Sequence, residues 1–387
     1  ECSCSAVLRP APCTGRCRHA PGRVRSRIRT LRQSAPATTE ASTRSVSLVV
    51  RSRQNGPASL ALEAHLRIMG LVMAVPSFFE GPEKKLELVV TPGSNSLRAL
   101  GEGVWLRVVE AAGAKVLSAL HTEQCDAYLL SESSLFVYDD WSVLITCGQT
   151  TLVDAFEEFL RHVPVEHVAF LVYERKNEHY PEHQPTTFYD DARRLQSMIP
   201  GRAIRFGDEH GHYVQMFHST RPFEAASSDP TLEILMHAID PNVARRFMGG
   251  PSEQGVMAAA LGVDSILPGF TTSEHVFEPA GYSLNAVKDH EYYTIHVTPE
   301  SVGSYVSFET NHDFRGRLTE LVGAIVEPFQ PRAFDVLTFL PDSEAELSAN
   351  GYLLGDHVVD SFGGYRVSYF QYFVPPDGPR HPSQLSL

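Results

Sequence analysis

Apolar and polar residues alternate with a period of two in three stretches of the second half of the chain. The polar positions are Thr294, His296 and Thr298 in 292–298, Tyr305, Ser307 and Glu309 in 305–309, and Thr231 and Glu233 in 231–236. This period predicts strands with one polar and one apolar face. In a simple sandwich the polar faces would meet solvent, whereas helices covering the apolar faces would turn the polar faces inward. The pattern leaves both arrangements open.

Read in the same way, the whole chain predicts many strands and three amphipathic helices. The helices are 96–112 with Ser96 as its N-cap, 152–163, and 314–326 with Asp313 as its N-cap. The strands are 86–90, 115–120, 127–138, 141–146, 168–173, 203–206, 213–217, 231–236, 275–278, 292–298, 305–309 and 334–340. Short connections after residue 292 favour antiparallel pairing, which predicts an α+β domain.

Composition separates a leader from the rest of the chain. Residues 1–72 contain twelve Arg, three Glu and no Lys, Asp or aromatic residue, so they carry a net charge of +9 and cannot build a core. An organelle transit peptide has this composition, and so does translated untranslated sequence with its true start at Met69 or Met73. We expect residues 1–72 and the tail 376–387 to be disordered and residues 73–375 to form one domain.

Charge and cysteine content narrow the class of protein. A formal net charge of −13 argues against nucleic-acid binding, and no stretch is apolar enough to span a membrane. Outside the leader only Cys125 and Cys147 remain, which is no disulfide framework. We therefore expect a cytoplasmic protein, with organelle targeting by the leader as the alternative. His179 and His183, in the polar loop 176–185, are interpreted as solvated residues and not as a metal site.

Five segments identify a family when they are taken together and in order. They are 78–84 (FFEGPEK), 128–136 (YLLSESSLF), 146–148 (TCG), 277–283 (FEPAGYS) and 294–300 (TIHVTPE). This set resembles the eukaryotic S-adenosylmethionine decarboxylase proenzymes, and the resemblance covers residues 77–375. It implies a four-layer αββα sandwich, in which two antiparallel sheets pack face to face and helices cover their outer faces.

Decarboxylation of an α-amino acid needs a carbonyl electron sink that forms a Schiff base with the substrate. The sequence contains no phosphate cradle for pyridoxal phosphate, and we predict no metal. The resemblance implies a pyruvoyl group derived from Ser133 by autocatalytic cleavage between Glu132 and Ser133. The Ser133 hydroxyl attacks the Glu132 carbonyl, and elimination of the resulting ester leaves a β chain ending at Glu132 and an α chain that begins with pyruvoyl.

The resemblance also assigns roles to five further residues in processing and catalysis. His296 is the base for the elimination, and Ser283 donates a hydrogen bond that supports processing. Cys147 is the general acid that returns a proton to the substrate α-carbon. Glu80 and Glu83 form an acidic pair beside the cofactor, in which one carboxyl can stay protonated.

Substrate binding follows the same resemblance. Phe79 and Phe277 sandwich the adenine and attract the sulfonium cation, and Glu300 accepts both ribose hydroxyls. Backbone groups of Leu130 and Glu132 read the adenine edge. The product would be decarboxylated S-adenosylmethionine, the aminopropyl donor for spermidine and spermine.

An acidic pocket between the sheets binds the diamine putrescine in some relatives. The matching residues are Glu87, Asp229, Thr231, Glu233 and Glu309. The chain departs from the family pattern at Ile145, where a lysine is expected, and at Val172 and Glu174. A pocket that loses a cation and gains a carboxylate should need a cationic partner more. The alternative is that the pocket is wired differently and the enzyme is constitutively active.

Two other functions fit parts of the pattern. A non-catalytic regulatory paralogue that activates a partner subunit would tend to lose the cleavage serine or the acidic pair, and this chain keeps both. A pyruvoyl decarboxylase acting on another amino acid would not need Phe79, Phe277 and Glu300. The sequence leaves open whether the protein is a monomer or a homodimer.

Overall fold

The computed structural model describes residues 27–30, 78–248, 256–341, 343–376 and 378. The remainder of the leader and most of the predicted tail lie outside these ranges, so their expected disorder stays a prediction. One short strand, Arg27–Thr30, differs from the expectation that the leader contributes nothing to the fold. It pairs antiparallel with Val116–His121, whose outer backbone groups would otherwise form a free sheet edge.

The first sheet has nine antiparallel strands. In chain order they are β1 Arg27–Thr30, β2 Lys84–Val90, β3 Val116–His121, β4 Asp126–Leu130, β5 Ser133–Val137, β6 Trp141–Thr146, β7 Val168–Lys176, β8 Gly201–Gly207 and β9 Tyr213–Ser219. Their spatial order is β1-β3-β4-β5-β6-β2-β7-β9-β8. Strand β2 therefore lies in the middle of the sheet, between β6 and β7.

The second sheet has eight antiparallel strands. They are β10 Thr231–His237, β11 Thr271–Val276, β12 Tyr282–Lys288, β13 Glu291–Thr298, β14 Tyr305–Thr310, β15 Ala333–Pro341, β16 Leu353–Phe362 and β17 Tyr365–Phe373. Their spatial order is β11-β12-β13-β14-β10-β15-β17-β16. Without β1, this order repeats that of the first sheet with every strand number raised by eight. The two halves of the chain thus share one topology, a repeat that the sequence did not reveal.

Helices cover the outer face of each sheet. On the first sheet lie α1 Glu102–Ala111, α2 Leu152–Phe159 and α3 Phe188–Met198; on the second lie α4 Pro241–Ala244, α5 Val256–Leu261, α6 Val263–Ile266 and α7 Leu318–Val326. Short 3₁₀ turns lie at Arg98–Leu100, Val165–His167, Pro181–His183 and Arg245–Phe247. Trp105 and Phe156 pack on Leu86 of the first sheet, and Leu321 packs with Ile295 of the second, each within one buried apolar cluster. The four-layer αββα sandwich is confirmed.

The inner faces of the two sheets meet in a layer that is partly apolar and partly charged. One apolar cluster joins Val172 and Met216 to Leu337, and another joins Ile145 to Tyr292. Between these clusters lie the buried polar side chains of the alternating strands, including Glu233, His296, Ser307 and Glu309. Of the two arrangements left open by the sequence, the inward-facing polar layer is the observed one.

Several predicted element boundaries were wrong. The predicted strand 127–138 is a hairpin, because the polar residues Ser131 and Glu132 form a turn between β4 and β5. The helix predicted from Ser96 is broken at Gly101, which has a φ of +83°. The helix predicted from Asp313 begins at Leu318, just after Gly316 with a φ of +79°. Strands β12, β16 and β17 and helix α3 were missed.

No helix in the described ranges combines the length and apolar character needed to cross a membrane.

Candidate active site

The predicted cleavage site lies at the tip of the β4–β5 hairpin. Ser133 is the first residue of β5 and is only 1% exposed. Its φ of +150° is a conformation that residues with a side chain rarely adopt. Within the described part of the chain its Oγ has no hydrogen-bond partner. A buried hydroxyl without a partner is costly, so the site holds Ser133 in a strained and unsatisfied state.

The carbonyl group of Glu132 is held by the neighbouring strand. Its oxygen accepts a hydrogen bond of 2.9 Å from the Cys147 backbone N–H and another of 3.0 Å from Cys147 Sγ. Cys147 follows the last residue of β6, which pairs with β5 in the sheet. Burial raises the pKa of the Cys147 thiol well above its usual value, so the group stays protonated and can donate. Two donors therefore face the oxygen that would become negative if this carbonyl were attacked.

His296 lies on β13, with hydroxyl groups on both sides of its ring. Its Nδ1 is 2.9 Å from Ser283 Oγ, and its Nε2 is 3.0 Å from Ser134 Oγ and 2.6 Å from Thr294 Oγ1. Ser283 is the residue directly opposite His296 on β12. Burial lowers the pKa of His296 to about 3, so the ring is neutral at physiological pH. The structure thus brings together the predicted base and the predicted hydroxyl donor.

The two predicted acidic residues differ in their surroundings. The Glu80 carboxylate accepts hydrogen bonds of 2.9 Å from the backbone N–H groups of His179 and Tyr180. Glu83 accepts a hydrogen bond of 2.7 Å from Ser307 Oγ, across the interface between the sheets. Burial raises the pKa of Glu83 to about 8, so this carboxyl is largely protonated near neutral pH.

A cleft of about 270 Å³ opens beside the hairpin tip. Phe79, Glu80, Glu132 and Gly148 form part of its wall. The Phe79 backbone N–H donates to Glu300 Oε1 at 3.2 Å, which brings the predicted adenine and ribose residues together at one end of the site.

Gly148 is required where it stands. Its φ is +67°, and a Cβ placed there would lie 2.9 Å from Glu132 Oε2 and 3.2 Å from the Phe79 ring. Any larger residue would therefore push both predicted site residues away.

Besides Glu300, which contacts Phe79 from outside the cleft, two further predicted substrate residues do not line it. Phe277 lies on the turn between β11 and β12, where its N–H donates to the Gly281 carbonyl at 2.9 Å. Leu130 is the buried last residue of β4.

The acidic pocket of the predicted putrescine site contains two lysines. Lys85 Nζ makes an ion pair with Glu233 and lies 3.3 Å from Glu174, 3.6 Å from Glu309 and 3.7 Å from Glu87. The second lysine has contacts of its own: Lys176 Nζ is 2.7 Å from Glu174 and 2.8 Å from Glu233. The other two predicted residues lie near by: Asp229 accepts a 2.5 Å hydrogen bond from the Tyr365 hydroxyl, and Thr231 is buried at the start of β10.

The loss of the family's lysine at Ile145 therefore does not leave this pocket without positive charge. Lys85 lies two residues after Glu83 and two residues before Glu87, at the start of β2. In the same way, Lys176 lies two residues after Glu174 on β7. A period of two places all of them on the inner face. The same spacing is visible in the sequence, so both lysines could have been assigned to the pocket from the pattern alone.

A third buried lysine was also missed. Lys84 Nζ donates to the Gly148 carbonyl at 3.0 Å and to Gln184 Oε1 at 2.7 Å. Burial lowers its pKa to about 8. Burial raises the pKa of the Glu132 side chain to about 7, and Lys84 acts in the opposite direction. The hydrogen bond from Lys84 to the Gly148 carbonyl therefore connects β2 to the wall of the cleft, next to the hairpin tip.

Comparison with known proteins gives consistent matches. The sequence model of a family described as adenosylmethionine decarboxylase matches residues 76–373. An S-adenosylmethionine decarboxylase proenzyme from Leishmania donovani is 33% identical over 290 residues, covering 68% of this chain and 74% of the relative. A proenzyme of the same name from Xenopus laevis is 34% identical over 286 residues, covering 69% and 84%. That from Dictyostelium discoideum is 31% identical over 330 residues, covering 76% and 85%.

Proposed function

Because this chain belongs to the adenosylmethionine decarboxylase family, we propose that it cleaves itself before Ser133 and then decarboxylates S-adenosylmethionine. One observation carries the proposal: a buried Ser133 hydroxyl, with no hydrogen-bond partner among the described residues, follows a Glu132 carbonyl that accepts two hydrogen bonds from Cys147. A nucleophile that is not engaged elsewhere, next to a polarised carbonyl, is the arrangement that an acyl shift needs.

Cleavage begins when Ser133 Oγ attacks the Glu132 carbonyl carbon. The C–O bond forms, the C–N bond to Ser133 breaks, and the nitrogen becomes a free amine. The charge that develops on the Glu132 oxygen is stabilised by the N–H and S–H groups of Cys147. The strained φ of Ser133 raises the energy of the uncut chain, and relief of this strain favours the reaction.

Elimination then removes the proton from the α-carbon of residue 133. The bond between Oγ and Cβ breaks, Glu132 leaves as a carboxylate, and the dehydroalanine left behind takes up water and releases ammonia to give pyruvoyl. We assign the proton removal to His296, whose ring is neutral and can accept a proton, although burial makes it a weaker base than a solvated imidazole. Ser283 fixes the ring through Nδ1, which leaves Nε2 on the side of Ser134.

The residues around position 133 suit a pyruvoyl group there, since no described residue forms a hydrogen bond with the buried Ser133 hydroxyl. The group supplies an electron sink for the carbanion that remains when carbon dioxide departs. Cys147, kept protonated by burial, is positioned to return a proton to the substrate α-carbon. Phe79 offers its ring to the adenine at the open cleft, and Glu300 offers its free lone pairs to the ribose hydroxyls.

For the acidic pocket, we propose that Lys85 and Lys176 supply the positive charges that a bound diamine would bring. Each ammonium group contacts at least two carboxylates within 4 Å. On this basis the activity should not require putrescine, which is the constitutive alternative raised by the sequence.

The decisive experiment is intact-mass measurement of the purified full chain. Wild-type protein should appear as two fragments divided between Glu132 and Ser133, and Ser133→Ala as one uncut chain without decarboxylase activity. Ser131→Ala is the matched control, because that hydroxyl lies on the same turn and accepts a hydrogen bond of 2.9 Å from the Lys115 N–H. A Ser133→Ala protein that is still cut or still active would refute the proposal. A cut wild-type protein that decarboxylates only with a partner subunit would favour the regulatory alternative.

A further inference from the structure

Three side chains of the types that bind metals meet at one end of the interface between the sheets, outside the proposed reaction site. His237 is the last residue of β10, Asp335 lies on the adjacent strand β15, and His212 lies in the loop between β8 and β9 of the other sheet. The candidate ligand atoms of the three residues all lie within 4.8 Å of one another. Each of these residues is more than twenty positions from the next in the sequence, so no short motif indicated the cluster.

The carboxylate at the centre of this group is buried and only partly satisfied. Asp335 is 1% exposed, and its Oδ2 lies 3.2 Å from His237 Nε2. Its Oδ1 and the Nδ1 of His212 are buried and have no hydrogen-bond partner among the described residues, although they lie 3.5 Å apart. Buried polar atoms without partners are rare and call for an explanation. Here the unsatisfied atoms face each other, as they would around a ligand that both could share.

The spacing of these atoms suits a transition metal. Imidazole nitrogen and carboxylate oxygen bind zinc at about 2.0–2.2 Å, so two ligand atoms at ordinary angles lie about 3.0–3.5 Å apart. The contacts of 3.2 Å from His237 to Asp335 Oδ2 and 3.5 Å from His212 to Asp335 Oδ1 fall at this spacing, so the ion would lie beside the two carboxylate oxygens. His212 is partly exposed on its loop, so its ring can move towards His237 and Asp335 and become the third ligand of the ion. Two imidazoles and one carboxylate favour zinc, cobalt or nickel over magnesium or calcium, which prefer oxygen ligands.

We propose that His212, His237 and Asp335 bind one divalent transition-metal ion of the zinc class. The ion would join the β8–β9 loop of the first sheet to two adjacent strands of the second, and would thus clamp the sandwich at this end. The Tyr369 hydroxyl, which donates to the His212 carbonyl at 3.0 Å, already holds the loop close to this position.

The test is a Co²⁺ titration of chelator-treated full-length protein, followed by visible absorption, with Zn²⁺ competition and thermal unfolding in parallel. We expect one equivalent to bind and Zn²⁺ to raise the melting temperature. His212→Ala and Asp335→Asn should each weaken binding at least tenfold and abolish the thermal shift. His210→Ala is the matched control, because His210 is exposed on the same loop and its ring lies 3.7 Å from Glu209. Circular dichroism of each variant without metal checks that the fold is kept, and His212→Ala is the substitution the fold should tolerate most easily.

Cysteines at positions 2, 4, 13 and 17 could bind the same ion elsewhere in the chain. Thiolate ligation gives Co²⁺ a charge-transfer band in the near ultraviolet, whereas the proposed nitrogen and oxygen ligands do not. Absence of stoichiometric binding would overturn the proposal. So would binding that is unchanged in both His212→Ala and Asp335→Asn, or binding that always carries the thiolate band.

Discussion

Replacing Lys85 by Met would remove a positive charge from a group of four carboxylates while keeping most of the side-chain volume. Lys85 is fully buried, and its Nζ lies within 4 Å of Glu87, Glu174, Glu233 and Glu309. Burial alone would lower the pKa of Lys85, but the attraction of these carboxylates outweighs it and raises the pKa well above the usual value. The charge is therefore present throughout the physiological range.

The loss of stability expected for Lys85→Met follows from the carboxylates that stay buried when the ammonium group is removed. Removing one partner from a buried ion pair destabilises proteins by about 3–5 kcal/mol, because the remaining charge stays buried without compensation. At about 2 °C per kcal/mol, the lower value for large domains, this predicts a fall in Tm of about 6–10 °C. The cost should increase with pH. The pKa of Glu309 is raised to about 7, chiefly by burial, so this carboxyl can escape the penalty by staying protonated at about pH 6 but less readily at about pH 8.

The assay is thermal unfolding of Lys85→Met at these two pH values. Both the variant and its reference should carry Ser133→Ala, so that only uncut chains are compared. Arg193→Met is the matched control, because Arg193 and Asp190 form an ion pair of 3.0 Å that is exposed on α3 and should contribute less than about 1 kcal/mol. If Lys85→Met lowered Tm no more than Arg193→Met does, the buried network would not stabilise the fold as argued.

Three further predictions concern the site. The pKa of Glu83 is raised to about 8 by burial, so its contribution to stability is full below about pH 4.5 and is lost as the pH rises through 8. In denaturant titrations, Glu83→Gln should therefore lose less stability than wild type between about pH 5 and pH 9. An equal loss of stability in both proteins would exclude a protonated Glu83. Gly148→Ala should slow self-cleavage at least about tenfold, as followed by intact mass, because its Cβ would displace Glu132 and Phe79; cleavage at the wild-type rate would contradict the close contact. Cys147→Ala should slow cleavage by about 10²-fold, and Cys147→Ser less, since it retains a donor to the Glu132 oxygen; equal rates for the two variants would rule out donation by the side chain.

The sequence predicted the layers of this fold better than the ends of its elements. Strands β6 and β13 were predicted almost to the residue. Strand β13 shows a strong alternation of apolar and polar positions, and β6 contains an uninterrupted apolar run at 143–145. Helix α7 begins four residues later than predicted, since Gly316 takes a positive φ that a helix cannot continue through. Periodicity separates the polar face of a strand from its apolar face, whereas the backbone conformation at one glycine decides where an element starts.

The site shows a different limit. The residues named from the motifs do approach one another, for example Ser283 and His296 across two paired strands. Strand β12 itself was missed, because Gly281-Tyr282-Ser283 taken alone is typical of a turn. Contacts that join the two sheets, such as Glu83 with Ser307, depend on how the sheets are stacked, and a pattern along one strand carries no information about the strand it will face.

The central position of β2 determines what a break in the backbone after Glu132 would do to the molecule. This strand precedes the break in the chain, yet it is bonded on both edges to β6 and β7, which follow it. Strand β2 of the smaller piece would thus lie between two strands of the larger piece. The two pieces could separate only if the hydrogen bonds on both edges of β2 were broken. A cut molecule should stay assembled on dilution but, once unfolded, should recover poorly, because two separate polypeptides would have to find each other again.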